Sequence, residues 1–282
     1  MFDRLANGCE LARQSWNVLK LDKELLLFPL LSGIACLMVL ASFGIPLWNS
    51  PYAEAFFNEQ QSPQDPIAYL ILFLFYLVNY LVIVYFNAAL VACAIIRFRG
   101  GDPTFAVGIQ AANERLPQIF GWALVCATVG FLLRIIESRS QKTGQFVAGL
   151  IGMGWTAATY FVVPILVVEQ LGPFAAVQRS LSVLKRTWGE ALSANFGIGL
   201  FIFLATMPGI MMLVGGGFLL AGGSTAGGVV LLSLGVVWIL LASLVSSALD
   251  AILLAAIYLY AADGEVPRQF DRDLLQHAFV HR

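Results

Sequence analysis

Charged residues are scarce in this sequence of 282 residues, and their scarcity excludes an ordinary soluble domain. Only 12% of the residues are charged and 59% are hydrophobic, against about 25% and about 45–50% in soluble domains. The net charge is −1 and the basic residues form no long tract, so nothing in the composition indicates nucleic acid as a partner. This composition predicts an all-α, polytopic membrane protein.

Histidine and paired cysteine are also nearly absent, which disfavours the commonest catalytic and metal sites. His277 and His281 lie in the C-terminal tail, where a solvent-facing pair is preferred over a metal site. The four cysteines have no CxxC or paired spacing, so we predict neither a disulfide framework nor a metal site. Asp250 is the only acid deep in an apolar run, which disfavours a two-aspartate membrane protease. We therefore expect no enzymatic activity, no metal and no cofactor.

Six apolar runs, each longer than the roughly 20 residues that a bilayer requires, predict six membrane-spanning helices. They cover about residues 25–48, 67–96, 117–136, 146–168, 192–221 and 229–261. The fifth run contains Pro208 and Gly215-Gly216-Gly217. We expect a kink or break there, and close helix packing at the glycines, which lack the Lys-Ser/Thr of a phosphate loop.

Amphipathic helices are predicted before or between these runs, at residues 2–20, 104–116 and 173–188. In each, apolar residues recur every three or four positions, and polar residues occupy the other face. Such helices lie flat in a membrane interface, where aromatic side chains prefer the headgroup level. The predicted interfacial anchors are Trp16, Phe105, Phe174 and Trp188. For the first helix, packing against its own protein remains an alternative.

Lys and Arg divide unequally between the two predicted sides of the membrane, with thirteen on one side and three on the other. The loops on the cytosolic side of a membrane protein carry the excess of Lys and Arg. We therefore predict that both termini and all the interfacial helices face the cytosol. The predicted location is the cytoplasmic (inner) membrane, with membrane lipids as partners and either a second copy or another membrane protein as a further partner.

The chain also divides into three parallel repeats within a single membrane domain, residues 1–282. Each repeat has one cytosolic interfacial helix and two spans, and successive units share one orientation because each has two spans. The predicted units are 1–103, 104–172 and 173–262, followed by a cytosolic tail, 263–282. The joints after Gly101, Gly172 and Gly264 share glycine, proline and an aromatic residue, and a gapless alignment of spans two and six pairs Asn87 with Asp250.

The run Asp22-Lys23-Glu24-Leu25-Leu26-Leu27-Phe28-Pro29-Leu30-Leu31-Ser32-Gly33 follows the first amphipathic helix. Together with the six-span layout, it resembles an uncharacterised family of prokaryotic integral membrane proteins with a domain of unknown function. Residues Ala175–Ala191 are more distantly similar to the membrane domain attached to some glycerophosphodiester phosphodiesterases. The soluble catalytic barrel of those enzymes is absent here, and the resemblance implies no catalytic residue.

Two functions stay open at this point. The preferred hypothesis is a non-enzymatic membrane protein with a lipid-organising or scaffold-like role. The alternative is a small transporter or channel with a polar pathway near Asp250 and Asn87. The intramembrane polar candidates are Asp250, Asn87, Asn79 and Thr159. Asp250 is a titrating group, a hydrogen-bond anchor to another span or a residue at the inner interface; the anchor is preferred, with Asn87 as the first partner.

Overall fold

The structure is a computed structural model that describes residues 2–48, 50, 66–139 and 143–270. Side chains in these ranges are described except at 2–9, 137–139, 143–145, 186–198, 200 and 201. The described residues form nine α-helices and one 3-10 turn, with no strand. In order these are α1 Phe2–Leu21, the 3-10 turn Lys23–Leu26, α2 Leu27–Trp48, α3 Pro66–Phe98, α4 Phe105–Glu114, α5 Leu116–Arg139, α6 Thr143–Ala158, α7 Val162–Val168, α8 Pro173–Ala221 and α9 Thr225–Asp263.

Six helical segments among the described residues are long and apolar enough to cross a membrane. They are Lys23–Trp48, Pro66–Phe98, Leu116–Ile136, Phe146–Val168, Ile202–Ala221 and Thr225–Asp263. In hydrocarbon every backbone N–H and C=O must be paired within the protein, and a helix achieves this within one segment. The predicted all-α, multi-pass class with six spans is therefore confirmed.

The chain separates into two compact units. The first unit contains residues 1–29, 94–102 and 187–282, and the second contains 30–93 and 103–186. Each unit therefore combines segments that are distant in sequence. The division into three repeats stays a prediction.

Helix α8 differs from its predicted form. We expected an interfacial helix at 173–188 and a separate span from 192, but the backbone is helical without interruption from Pro173 to Ala221. Its 49 residues extend over about 74 Å, more than twice the roughly 30 Å of a bilayer core. The helix is therefore longer than a bilayer core requires, and part of it extends beyond the hydrocarbon.

The helix also continues through Pro208, where a kink or break was expected. Proline lacks an N–H and crowds the preceding turn, so a neighbouring donor is needed there. The indole Nε1 of Trp238 in α9 donates to the carbonyl oxygen of Ala205 at 2.9 Å. The carbonyl that loses its donor within the helix at Pro208 is that of Leu204, four residues earlier, so the indole bonds the neighbouring carbonyl and not the freed one.

Helices α8 and α9 approach each other at paired glycines. A Cβ added to Gly216 would lie 3.0 Å from the carbonyl oxygen of Gly228, and one added to Gly228 would lie 2.9 Å from that of Gly216. One added to Gly235 would lie 3.0 Å from the carbonyl oxygen of Gly209. The two pairs are seven residues apart on each helix, which fixes one antiparallel register. The predicted close packing at the glycines is confirmed at Gly216.

Helix α1 packs against α9 in the first unit. Three- and four-residue spacing places the buried side chains of α1 on one face, and these are Leu11, Ala12, Ser15, Val18 and Leu19. The C-terminal part of α9 is buried at Ala248, Leu249, Ala251, Ile252, Leu253, Ala255, Ala256, Ile257, Tyr258 and Leu259. Among the side chains of α1 that the structure describes, from residue 10 onward, the buried ones are apolar apart from Ser15, so apolar burial holds this part of the helix in place.

The sequence spacing predicts an apolar stripe on α1 formed by Phe2, Leu5, Cys9, Ala12, Trp16 and Leu19. The buried face only partly coincides with this stripe. Ala12 and Leu19 belong to both, whereas Trp16 is half-buried. The packing of α1 on α9 supports the alternative in which this helix packs against its own protein. Its position relative to a membrane interface stays a prediction.

Candidate functional site at the end of helix α3

The clearest polar site in the first unit is an ion pair between Asp22 and Arg97. Asp22 directly follows α1 and is only 7% exposed. Its two carboxylate oxygens accept hydrogen bonds from Nε and Nη2 of Arg97, which lies in the last turn of α3. A bidentate pair of this kind is a strong, directional contact. It joins two segments that are 75 residues apart in sequence.

A second carboxylate contacts the same guanidinium. Nη2 of Arg97 lies 2.6 Å from Oδ1 of Asp102, whose side chain is 89% exposed. Exposed ion pairs contribute little because water screens them and the side chains lose freedom. The buried Asp22 is therefore the partner that matters most for stability.

Residues 264–270, which we call the strap, follow α9 and contact the same turn of α3. The side-chain Nε2 of Gln269 donates to the carbonyl oxygen of Arg97 at 3.1 Å. The ring of Phe270 packs edge-on against Phe98 with centroids 5.6 Å apart, and both rings are buried. The end of α1, the end of α3 and the strap therefore meet in one cluster within the first unit.

Two further strap residues contact this turn. Glu265 lies 3.8 Å from Arg99, and both side chains are more than half exposed. The guanidinium of Arg268 lies against Gly100, where an added Cβ would be 3.0 Å from its Nη1. Gly100 has a φ of +87°, a left-handed conformation that glycine adopts without steric cost. Glycine at this position thus both turns the chain after α3 and leaves room for Arg268.

The second unit has its own ion pair, at the joint between α7 and α8. Nε of Arg179 lies 2.8 Å from Oε1 of Glu169. Nearby, the backbone N–H of Phe161 donates to the buried hydroxyl of Ser180 at 3.1 Å. These bonds fix the first turns of α8 against the end of the preceding span.

Three of the four predicted intramembrane polar residues bond within their own spans. Asn79 donates to the carbonyl oxygen of Phe75 at 2.9 Å, and Thr159 donates to that of Trp155 at 2.8 Å. Asp250 is exposed and accepts a hydrogen bond from Ser246 at 3.4 Å. The fourth, Asn87, is half-buried on α3. The predicted bond between Asp250 and another span stays a prediction.

The length of α9 bears on the position of Asp250. This residue lies 25 positions after Thr225, the first residue of the helix, which corresponds to about 38 Å along the axis. That distance exceeds the roughly 30 Å of a bilayer core. The helix length therefore favours the third interpretation, in which Asp250 lies near one membrane surface.

The predicted interfacial anchors differ in exposure. Phe174 is 76% exposed, as an anchor requires, whereas Trp16 and Phe105 are half-buried. Nζ of Lys20 lies 5.5 Å from the ring centroid of Trp16, within the range of a cation–π contact. The side chain of Trp188 lies outside those that the structure describes.

The Asp22–Arg97 pair was not predicted from the sequence. Arg97 counted only as one of thirteen basic residues on the inner side, and Asp22 only within a resemblance. An acid directly before one span and an arginine at the end of another were the available signal. Within the described ranges no group of three His, Cys, Asp or Glu could hold a metal ion, and both histidines lie outside them.

With six membrane-length helices, the chain is a multi-pass helical membrane protein. The model of a family of unknown function, DUF6159, matches residues 66–268, and the chain therefore belongs to this family. Membership of an uncharacterised family is thus confirmed, although the match begins after residues 1–45, which carry most of the resemblance noted above. No curated protein matches the chain.

Proposed function

We propose that this protein is a non-enzymatic, lipid-organising or scaffold-like component of the cytoplasmic membrane of a prokaryote. Its partners are membrane lipids, together with a second copy or another membrane protein. Its termini and inner-face helices lie on the cytosolic side, in keeping with the distribution of Lys and Arg. The family match lends no support to the resemblance of residues 175–191 to a phosphodiesterase-associated membrane domain, so the proposal does not rest on it.

This proposal rests on the hydrogen bonds that polar side chains in the spans make to backbone carbonyls of their own span. Hydroxyl groups of Thr128, Thr156 and Ser233 each donate to a carbonyl four residues earlier in the same helix. The amide of Asn79 and the hydroxyl of Thr159 also donate to carbonyls four residues earlier in their own spans. A polar pathway needs groups from several helices that remain available to a solute. Polar side chains that are satisfied within one helix favour a structural role instead.

The apolar surface of the α8–α9 hairpin supports contact with lipid. Large exposed side chains occur along both helices, among them Phe203, Met211, Phe218, Val230 and Leu240. In α8 they occur from Phe203 to Leu220, a length close to the roughly 30 Å of a bilayer core. This hairpin is held by backbone contact at glycines, so its larger side chains face outward.

Phe174, which is exposed at the start of α8, allows the proposed contact with lipid to be tested. The full chain is placed in vesicles of phosphatidylethanolamine and phosphatidylglycerol that contain spin-labelled lipid. We expect a motionally restricted lipid population that shrinks when Phe174→Ala and Leu181→Ala are combined, because both side chains are exposed. Ala175→Ser, an exposed change on the same turn, is the matched control. An unchanged restricted population in the double variant would contradict the proposal.

The transporter alternative is favoured by one observation, the exposed carboxylate of Asp250. The same vesicles test it when they carry a proton or cation gradient. Flux that Asp250→Asn abolishes and Asp250→Glu retains would support transport and contradict a purely structural role. The scaffold proposal expects no protein-dependent flux in any of these variants.

A further inference from the structure

In the first unit the strap contacts the end of α3, the end of α3 contacts the end of α1, and α1 contacts α9, from which the strap begins. These contacts form a ring. The strap leaves α9 at Gly264, whose φ of +70° ends the helix. It contacts the last turn of α3, and Arg97 in that turn binds Asp22, which directly follows α1. Helix α1 then packs back onto α9. Each contact in this series therefore restrains the next.

Arg97 connects the strap to α1. Its carbonyl oxygen belongs to the last turn of α3, where carbonyl groups lack partners within the helix. Gly100 N–H and Gln269 Nε2 both donate to it, at 3.0 Å and 3.1 Å. Phe270 packs on the adjacent Phe98. The seated strap thus holds the backbone from which the guanidinium reaches Asp22.

Two buried oxygen atoms would gain hydrogen bonds to water if this arrangement opened. The hydroxyl of Ser15 on the buried face of α1 has no hydrogen-bond partner among the described residues, and neither does Oε1 of Gln269 in the strap. A buried polar atom without a partner costs free energy that water would restore. One such atom lies in each of the two elements that would move, so opening hydrates both.

We propose that the strap is a release latch for helix α1. While residues 264–270 are seated on the end of α3, Arg97 holds Asp22 and α1 stays packed on α9. When the strap lifts, that restraint is lost and α1 leaves α9, which uncovers the apolar side chains Leu11, Val18 and Leu19. The segment that follows α9 thereby controls an apolar surface near the N-terminus.

Thiol accessibility in the full chain tests this latch. Cys9, Cys36, Cys93 and Cys126 are replaced by alanine, and Ser15→Cys places a thiol on the buried face of α1. In a parallel protein, Ser180→Cys places a thiol at a buried position of the second unit. The rate of maleimide labelling is then measured with the strap intact and with Phe270→Ala.

We expect Phe270→Ala to speed labelling at position 15 by about tenfold or more, as for a local opening, and to leave position 180 protected. Asp22→Asn should have the same effect because it acts on the same series of contacts. Glu265→Gln is the matched control within the strap, and its rate should stay within about twofold because its ion pair is exposed.

Two results would overturn the latch. Unchanged labelling at position 15 in Phe270→Ala or in Asp22→Asn would mean that α1 stays docked without the strap or without Arg97. Faster labelling at both 15 and 180 would mean that the strap serves only general stability. Either result leaves the proposed lipid role untouched, because the latch does not depend on it.

Discussion

At the scale of single residues, the buried carboxylate of Asp22 has the largest expected effect on stability. A buried charge is tolerated only when it is paired and hydrogen-bonded, and Arg97 supplies two such bonds. Removal of Arg97 alone leaves the buried carboxylate of Asp22 without its partner. Removal of both side chains leaves no buried charge. Single and double substitutions should therefore differ sharply.

We expect Arg97→Ala to lower the free energy of unfolding by about 3–5 kcal/mol. The double variant Asp22→Leu with Arg97→Met should recover most of this loss, because no buried charge remains. Asp102→Ala is the control and should cost less than about 1 kcal/mol, since that carboxylate is exposed. Unfolding in detergent, followed by circular dichroism, measures all three. Equal losses for Arg97→Ala and Asp102→Ala would contradict this ranking.

Asp250 leads to a different expectation at the same scale. Its carboxylate is exposed and has a long hydrogen bond to Ser246 on its own helix. We expect Asp250→Asn to change the free energy of unfolding by less than about 1 kcal/mol. Asp250→Leu should also fold. Unfolding of the leucine variant in the same detergent assay would instead support an anchor to another span.

At the scale of helices, the period and length of the apolar runs predicted most elements. The bounds of the predicted spans 25–48, 67–96 and 146–168 lie within two residues of those of the segments found. The continuity of α8 between residues 188 and 192 could not be predicted, because Gly189 in that stretch is tolerated inside a helix as well as at its end. The Asp22–Arg97 pair was equally inaccessible, since local spacing carries no information about a partner 75 residues away.

The glycine contacts between α8 and α9 give a prediction at this scale. Gly216→Val should force the helices apart, because an added Cβ already lies 3.0 Å from the carbonyl oxygen of Gly228. We expect a loss of roughly 1–3 kcal/mol, typical of overpacking. Gly217→Val is a close control, since a Cβ there meets nothing within 4 Å. Thermal unfolding of the two variants should separate them, and equal stability would contradict the packing.

At the scale of the whole molecule, orientation in the membrane is the prediction with the widest consequences. Thirteen Lys and Arg on one predicted side and three on the other predict that both termini lie in the cytosol. The short turn between α8 and α9 then lies outside. Ser180 is unsuitable as an inner probe because it is fully buried, so a thiol there would report burial and not sidedness.

Ser224 and Lys185 are better probes because both are exposed. In a background without native cysteines, a membrane-impermeant thiol reagent applied to intact cells should label Ser224→Cys. Lys185→Cys should react only after the cells are opened, since it lies on the cytosolic part of α8. Ser180→Cys serves as a burial control and should stay unlabelled under both conditions. Labelling of Lys185→Cys in intact cells, with protection of Ser224→Cys, would reverse the orientation and place the Asp22–Arg97 cluster outside.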